Sequence, residues 1–273
     1  QAKILLSENK LNDAKVIFQN VIKVEPTNYK AHNNIGAILL KLGNLDEAEE
    51  NFKKAVELNP EFVVAHYNLG IIQANLLKFN EAEKSYKKAI ELKEDYVEAY
   101  SNLGSVYLKL EKLNQAEENF KKSIKFNSHF AVGHYNLAVT QEKLKKFNEA
   151  EKSYKKAIEF KKDYVEAYSN LGSVYLKLKD FSKAEENFNK AIKLNPRFAV
   201  GFYNLAVIQE KLKKFDEAEK NYKKAIELNN NYTEAINNLH RMIRQNKLLL
   251  KIKDIKKFKK NKASVASISV GLT

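Results

Sequence analysis

Apolar and small residues recur along this chain at spacings of three and four, and that pattern itself repeats every 34 residues. With Tyr29 taken as position 1, positions 3, 7, 8 and 11 form one face, and positions 17, 20, 24 and 27 form a second. Such stripes mark amphipathic helices, so each period predicts a hairpin of two. Six full periods run in unbroken register, over residues 29–62, 63–96, 97–130, 131–164, 165–198 and 199–232. In all six, position 20 is Ala and position 24 is aromatic (Phe52, Tyr86, Phe120, Tyr154, Phe188, Tyr222), while position 8 is Gly or Ala. Small residues let two helix axes approach, and the rings fill the space beside them. A fixed period of this length predicts a solenoid in which each repeat buries its apolar face only against its neighbours.

Polar positions suggest where the helices begin and end. Position 18 is Asp46, Asn80, Asn114, Asn148, Ser182 or Asp216, and position 21 is Glu in every repeat, from Glu49 to Glu219. That pair reads as an N-cap with an acidic N3 residue, a capping box opening the second helix. Pro26, Pro60 and Pro196 all fall at position 32, where a helix must stop. Taken together, these positions resemble the tetratricopeptide repeat family, and the resemblance covers most of the chain. It implies an all-α fold, a right-handed superhelix of antiparallel helix hairpins whose first helices line a concave groove.

The ends depart from the repeat. Residues 1–28 read as a partial earlier repeat, with Ala14, Phe18, Val21 and Pro26 at positions 20, 24, 27 and 32. No initiator Met precedes it, so a signal peptide cannot be judged; the compartment is left open, with the cytoplasm favoured over secretion. Residues 233–262 read as a degenerate repeat ending in a basic capping helix over 247–262, with Leu248, Ile252 and Ile255 as its apolar stripe. From 233 onward ten Lys or Arg stand against Glu234 and Asp254, so this tail carries +8 of the chain's formal +14. Its other reading is a basic anchor for anionic membrane or nucleic acid, which the stripe does not favour. Residues 263–273 alternate apolar and polar and read as the start of a following segment.

Catalytic chemistry is not visible. The chain has no cysteine, which excludes disulfides and thiolate metal sites. Seven of the eight glycines occupy positions 3, 8 or 15, so none builds a phosphate-cradling loop. His32, His66 and His134 share position 4, where neighbouring equivalent helices lie about 8–10 Å apart. That is too far for one shared metal, whose ligands approach to roughly 2 Å, and a packing role is expected. No catalytic residue, metal ligand or cofactor is assigned.

One constellation stands out. Position 6 is Asn throughout: Asn34, Asn68, Asn102, Asn136, Asn170, Asn204 and, in the degenerate seventh repeat, Asn238. This ladder resembles the tetratricopeptide superhelix found ahead of catalytic domains such as O-GlcNAc transferases, and the resemblance implies a clamp on an extended peptide backbone. A carboxamide both donates and accepts, so it can match an amide without reading its side chain. Equally, the asparagines could hydrogen-bond only within the array. Around them the sequence alternates with a period of 68: Tyr67, Tyr135 and Tyr203 at position 5 in even repeats, Ser101 and Ser169 in odd ones. Position 11 swaps Gln73, Gln141 and Gln209 against Tyr107 and Tyr175, which reads as part of the same groove. About three quarters of residues 97–164 recur identically in 165–232, so duplication of a two-repeat unit explains the alternation.

The expected function is a protein-interaction scaffold binding an extended peptide, with the asparagines and Tyr67, Tyr135 and Tyr203 lining its groove. Two alternatives are a substrate-recruiting arm of a glycosyltransferase, sulfotransferase or 2-oxoglutarate oxygenase whose catalytic domain lies beyond Thr273, and a self-assembling scaffold of stacked copies.

Overall fold

In the computed structural model residues 10–246 are described, and every regular element among them is a helix. The basic capping helix expected over 247–262, the segment 263–273 and the first residues of the partial repeat (1–9) lie outside the described residues. The chain divides after Phe160 into two compact blocks. The first holds α1 (Leu11–Val24), α2 (Tyr29–Leu42), α3 (Leu45–Leu58), α4 (Val63–Asn75), α5 (Phe79–Leu92), α6 (Val97–Lys109), α7 (Leu113–Phe126), α8 (Ala131–Lys143) and α9 (Phe147–Phe160). The second holds α10 (Val165–Lys177), α11 (Phe181–Leu194), α12 (Ala199–Lys211), α13 (Phe215–Leu228) and a helix over residues 233–246, here α14. Within each block the most extensive packing joins the two helices of one repeat, and each hairpin packs on the next.

The position-24 aromatics are the largest side chains wholly removed from solvent, and the alanines at position 20 are fully buried beside them. Burying one such ring contributes roughly 1.5–3 kcal/mol. The slot is narrow: a Cβ added to Gly104 would stand 2.8 Å from the Phe120 ring, and one added to Gly36 would meet Phe52 equally closely. In these repeats the ring lies directly against the helix backbone, while Ala138 and Ala206 hold the same position in two others.

Each hairpin turns through a left-handed residue at position 15. In the first repeat this is Gly43, at φ 82°, but later repeats use Leu77, Glu111, Lys145, Lys179 and Lys213 at φ between 57° and 62°. The next residue's N–H reaches back five residues, as in Lys112 N–H to Tyr107 O at 2.9 Å, which satisfies a helix-end carbonyl and stops the first helix. A left-handed L-residue costs about 1–2 kcal/mol, against roughly 0.5–1 kcal/mol of extra chain entropy for glycine. Leu77→Gly should therefore raise the urea midpoint, and Gly43→Lys should lower it. A midpoint unmoved by both would show that the turn carries no strain.

This turn also overturns the capping box. Because the left-handed residue ends one helix and the next begins two residues later, the N-cap falls at position 16 (Asn44, Lys78, Lys112, Asp180, Lys214), not 18. Among these only Asp180 caps with its side chain, accepting from Lys183 N–H at 3.1 Å. The position-21 glutamates instead reach the position-16 lysine of the following repeat: Glu49 to Lys78 at 2.7 Å, Glu83 to Lys112 at 3.4 Å, Glu117 to Lys146 at 2.7 Å and Glu185 to Lys214 at 3.0 Å.

Burial pushes the Glu49 and Glu117 carboxyls upward, but hydrogen bonds from their two lysines outweigh it and hold both below the usual carboxylate value. A carboxyl whose folded value is lowered stabilises the fold above its unfolded pKa, about 4.3, and that contribution is lost as pH falls through the folded value. Lys146→Met should thus lower the urea midpoint at pH 7, and the deficit should narrow as pH falls through the lowered folded value of Glu117. A deficit independent of pH would mean that Lys146 contributes packing rather than charge.

Candidate peptide-binding face

Positions 5 and 6 sit side by side on the first helix of each repeat, and the asparagine of one repeat lies against position 5 of the repeat before. Asn68 donates from Nδ2 to Asn33 Oδ1 at 3.0 Å, Asn102 to the Tyr67 hydroxyl at 3.1 Å and Asn238 to the Tyr203 hydroxyl at 3.1 Å. Where the preceding position 5 is Ser101 or Ser169, both buried, no such bond forms within reach. Asn136 and Asn204, half-buried, make no side-chain hydrogen bond to any described residue, and neither does Asn34. Asn170 holds the same place on α10, also half-buried.

The tyrosines at position 5 are half-buried pieces of the same framework. Tyr67 lies between Tyr86 and Tyr96, with ring centroids 6.0 and 4.8 Å away, and Tyr203 between Tyr222 and Tyr232 at 6.0 and 5.0 Å. Tyr135 meets Tyr154 at 5.8 Å. Burial, with Tyr67 and Glu98 nearby, pushes Tyr96 up to about 12.

Position 11 does not belong to this face. Gln73, Tyr107, Gln141, Tyr175 and Gln209 are all buried. The glutamines turn inward to position 23: Ser85 donates to Gln73 Oε1, and Ser153 to Gln141 Oε1, at 2.7 Å each, while Asn221 Nδ2 donates to Gln209 Oε1 at 2.7 Å. Tyr107 donates to Glu83 of the preceding repeat at 3.0 Å. Alternation in the sequence showed that position 11 varies with position 5, but an alternating column of Gln and Tyr does not reveal which way it points.

The histidines hold loops. Nε2 of His66 lies 2.8 Å from the carbonyl of Pro60, that of His134 2.9 Å from Ser128 O and that of His32 3.2 Å from Pro26 O, so each ties a helix to the turn before it. Among the described residues no group of three His, Asp or Glu is placed to hold a metal ion, and no helix is long and apolar enough to cross a membrane.

Profiles of known families read the same period. One described as "Tetratricopeptide repeat" matches residues 29–62, 97–130, 165–198 and 199–232, a second of that description matches 51–84, and one described as "TPR repeat" matches 78–111 and 143–179. The chain is a tetratricopeptide-repeat protein. Solved tetratricopeptide structures superpose on it: YrrB with TM-score 0.60 and 24% identity over 69% of this chain and 97% of that one, MamA with 0.57 and 27% over 61% and 97%, and PilF of Pseudomonas aeruginosa with 0.68 and 15% over 78% and 97%. No curated protein matches it significantly. As a tetratricopeptide-repeat array it is a scaffold for protein or peptide partners.

The two kinds of asparagine should separate on mutation. Asn102→Ala removes a bond between repeats and should cost on the order of 0.5–1.5 kcal/mol, partly offset by alanine's better helix propensity. Asn136→Ala loses no internal bond and should be neutral or slightly stabilising. Equal midpoints for the two variants would contradict the division.

Proposed function

We propose that this tetratricopeptide-repeat protein holds an extended peptide segment of a partner protein along the position-6 asparagines of a block, chiefly by hydrogen bonds to the peptide's backbone. The observation that carries the reading is the pair Asn136 and Asn204, each a half-buried carboxamide that bonds to no other described residue. An amide backbone offers a donor and an acceptor together, which is what such a group lacks. Asn102 and Asn238 contribute differently: each commits one N–H to a tyrosine hydroxyl, which fixes the carboxamide and leaves Oδ1 and the second N–H for a ligand. Tyr67 and Tyr203 then orient the ladder as much as they line it, with Tyr135 in the same column. YrrB is itself described as "a TPR protein with an unusual peptide-binding site".

The test uses peptides selected from a random phage-displayed library against the array, with affinity read by fluorescence anisotropy. Asn136→Ala combined with Asn204→Ala should keep the melting temperature. It should weaken binding roughly 2- to 12-fold, at about 0.5–1.5 kcal/mol for the one bond lost in each block and 1.4 kcal/mol per tenfold. The loss should be similar for peptides of unrelated sequence, because backbone is what is held. Unchanged affinity in a folded double variant, or no peptide selected at all, would overturn the proposal.

A further inference from the structure

One place on this face differs from its counterpart elsewhere in the chain. In the second block, position 12 of α12 is Glu210, which accepts from the Tyr222 hydroxyl at 2.9 Å and pairs with Arg241 of α14 at 3.0 Å. Those contacts link α12, α13 and α14 through one carboxylate. Between α4 and α6 the corresponding residues are Ala74, Tyr86 and Ser105, and the carboxylate and guanidinium are both missing. The result is an open recess of about 320 Å3, floored by Ile71, Phe79, Tyr86 and Val106 and rimmed by Asn102 and Lys109. Lys109 is exposed, and its ammonium pairs with no described residue.

We infer that this recess is a specificity pocket that takes one bulky apolar side chain of a bound peptide, with an acidic residue two positions away set over Lys109. The inference rests on the peptide-binding reading above and adds sequence preference to it. The floor is apolar, with Tyr86 and Val106 buried and Ile71 and Phe79 half-buried, so it favours an aliphatic or aromatic side chain over a polar one. The ionisable group on the rim is a cation without an internal partner, which selects a carboxylate. Asn102, held by Tyr67, stands beside the pocket to engage the backbone between the two residues. In an extended strand, side chains at i and i+2 share one side about 6.5–7 Å apart, a span that lets one residue fill the floor while its neighbour meets the rim.

The chain supplies its own control. Ala74→Glu with Ser105→Arg would rebuild the Glu210–Arg241 arrangement against Tyr86, filling the recess with groups that the fold already accommodates in α12 and α14. Random dodecapeptides displayed on phage are selected against the full chain, against this double variant and against Lys109→Gln, with melting temperatures measured for all three. Peptides selected by the wild type should share an apolar residue near an acidic one and should bind the folded double variant at least tenfold more weakly. Lys109→Gln should keep the apolar preference, lose the acidic one and remove most of the salt dependence of binding. If selected peptides bind the folded double variant and Lys109→Gln as tightly as the wild type, the pocket is refuted while the backbone-binding reading stands. If the double variant is destabilised, Lys109→Gln alone decides, and retention of the acidic preference there refutes the assignment. Failure of the wild type to select any peptide removes both readings.

Discussion

Everything on the exposed face follows from one buried ring per repeat. The aromatic at position 24 presses on the partner helix at position 8, where Gly36, Gly104 and Gly172 leave no room for a Cβ. That contact sets the distance between the two helices of a hairpin. It also decides what emerges beyond it, since a Phe ends in the core whereas a Tyr continues outward as a hydroxyl. Phe52, Phe120 and Phe188 belong to the first kind, and Tyr86, Tyr154 and Tyr222 to the second. Tyr154 and Tyr222 donate to Glu142 and Glu210 of their own first helix, at 3.2 and 2.9 Å. Tyr86 has Ala74 in that place. A core choice between two rings of almost equal volume is thereby turned into a difference in the polarity of the surface above.

Polar contacts between repeats are of two kinds, and they do different work. The Glu–Lys pairs join a largely buried carboxylate to a partly exposed ammonium, as where Glu117 meets Lys146. Removing the lysine would leave a desolvated charge with less compensation, so the pair constrains which residues position 16 can hold. The asparagine bonds to Tyr67 and Tyr203 involve neutral groups in half-buried positions, where water can take over at small cost. The first kind ties repeats together. The second kind orients side chains that the fold does not require.

The period, the helix pairing and the buried alanines and aromatics were legible in the sequence because they repeat and because their spacing has one helical interpretation. The start of the second helix was misplaced by two residues, since Asp or Asn at position 18 with Glu at 21 matches a capping box equally well. What decides the matter is the left-handed residue at position 15, and Leu77, Glu111 or Lys145 gives no sign of that conformation where Gly43 does. The position-21 glutamates were read as the acids of that capping box, whereas Glu117 pairs with Lys121 on its own helix and with a second lysine 29 residues on, in the next repeat. That spacing of 29 was present in the sequence as a signal. The asparagine column was legible as a ladder, whereas its division into bonded and unbonded rungs depends on whether the residue before it in space is Tyr, Asn or the shorter Ser.

A solenoid tolerates this kind of local divergence better than a globular core does. In a single core, replacing a buried-edge carboxylate with Ala would strand the hydroxyls and cations that faced it from several elements. Here each repeat contacts only its neighbours, so exchanging Glu for Ala at position 12 affects its own hairpin and the next. The Ser at position 9 of α6 fits Ala74, since it presents no cation in need of a carboxylate. The repeats present closely similar interfaces, and a difference at two adjoining positions suffices to open one of them over the same kind of rings and alanines beneath. Recognition in such a chain can therefore be written one interface at a time, without renegotiating the packing that holds the array together.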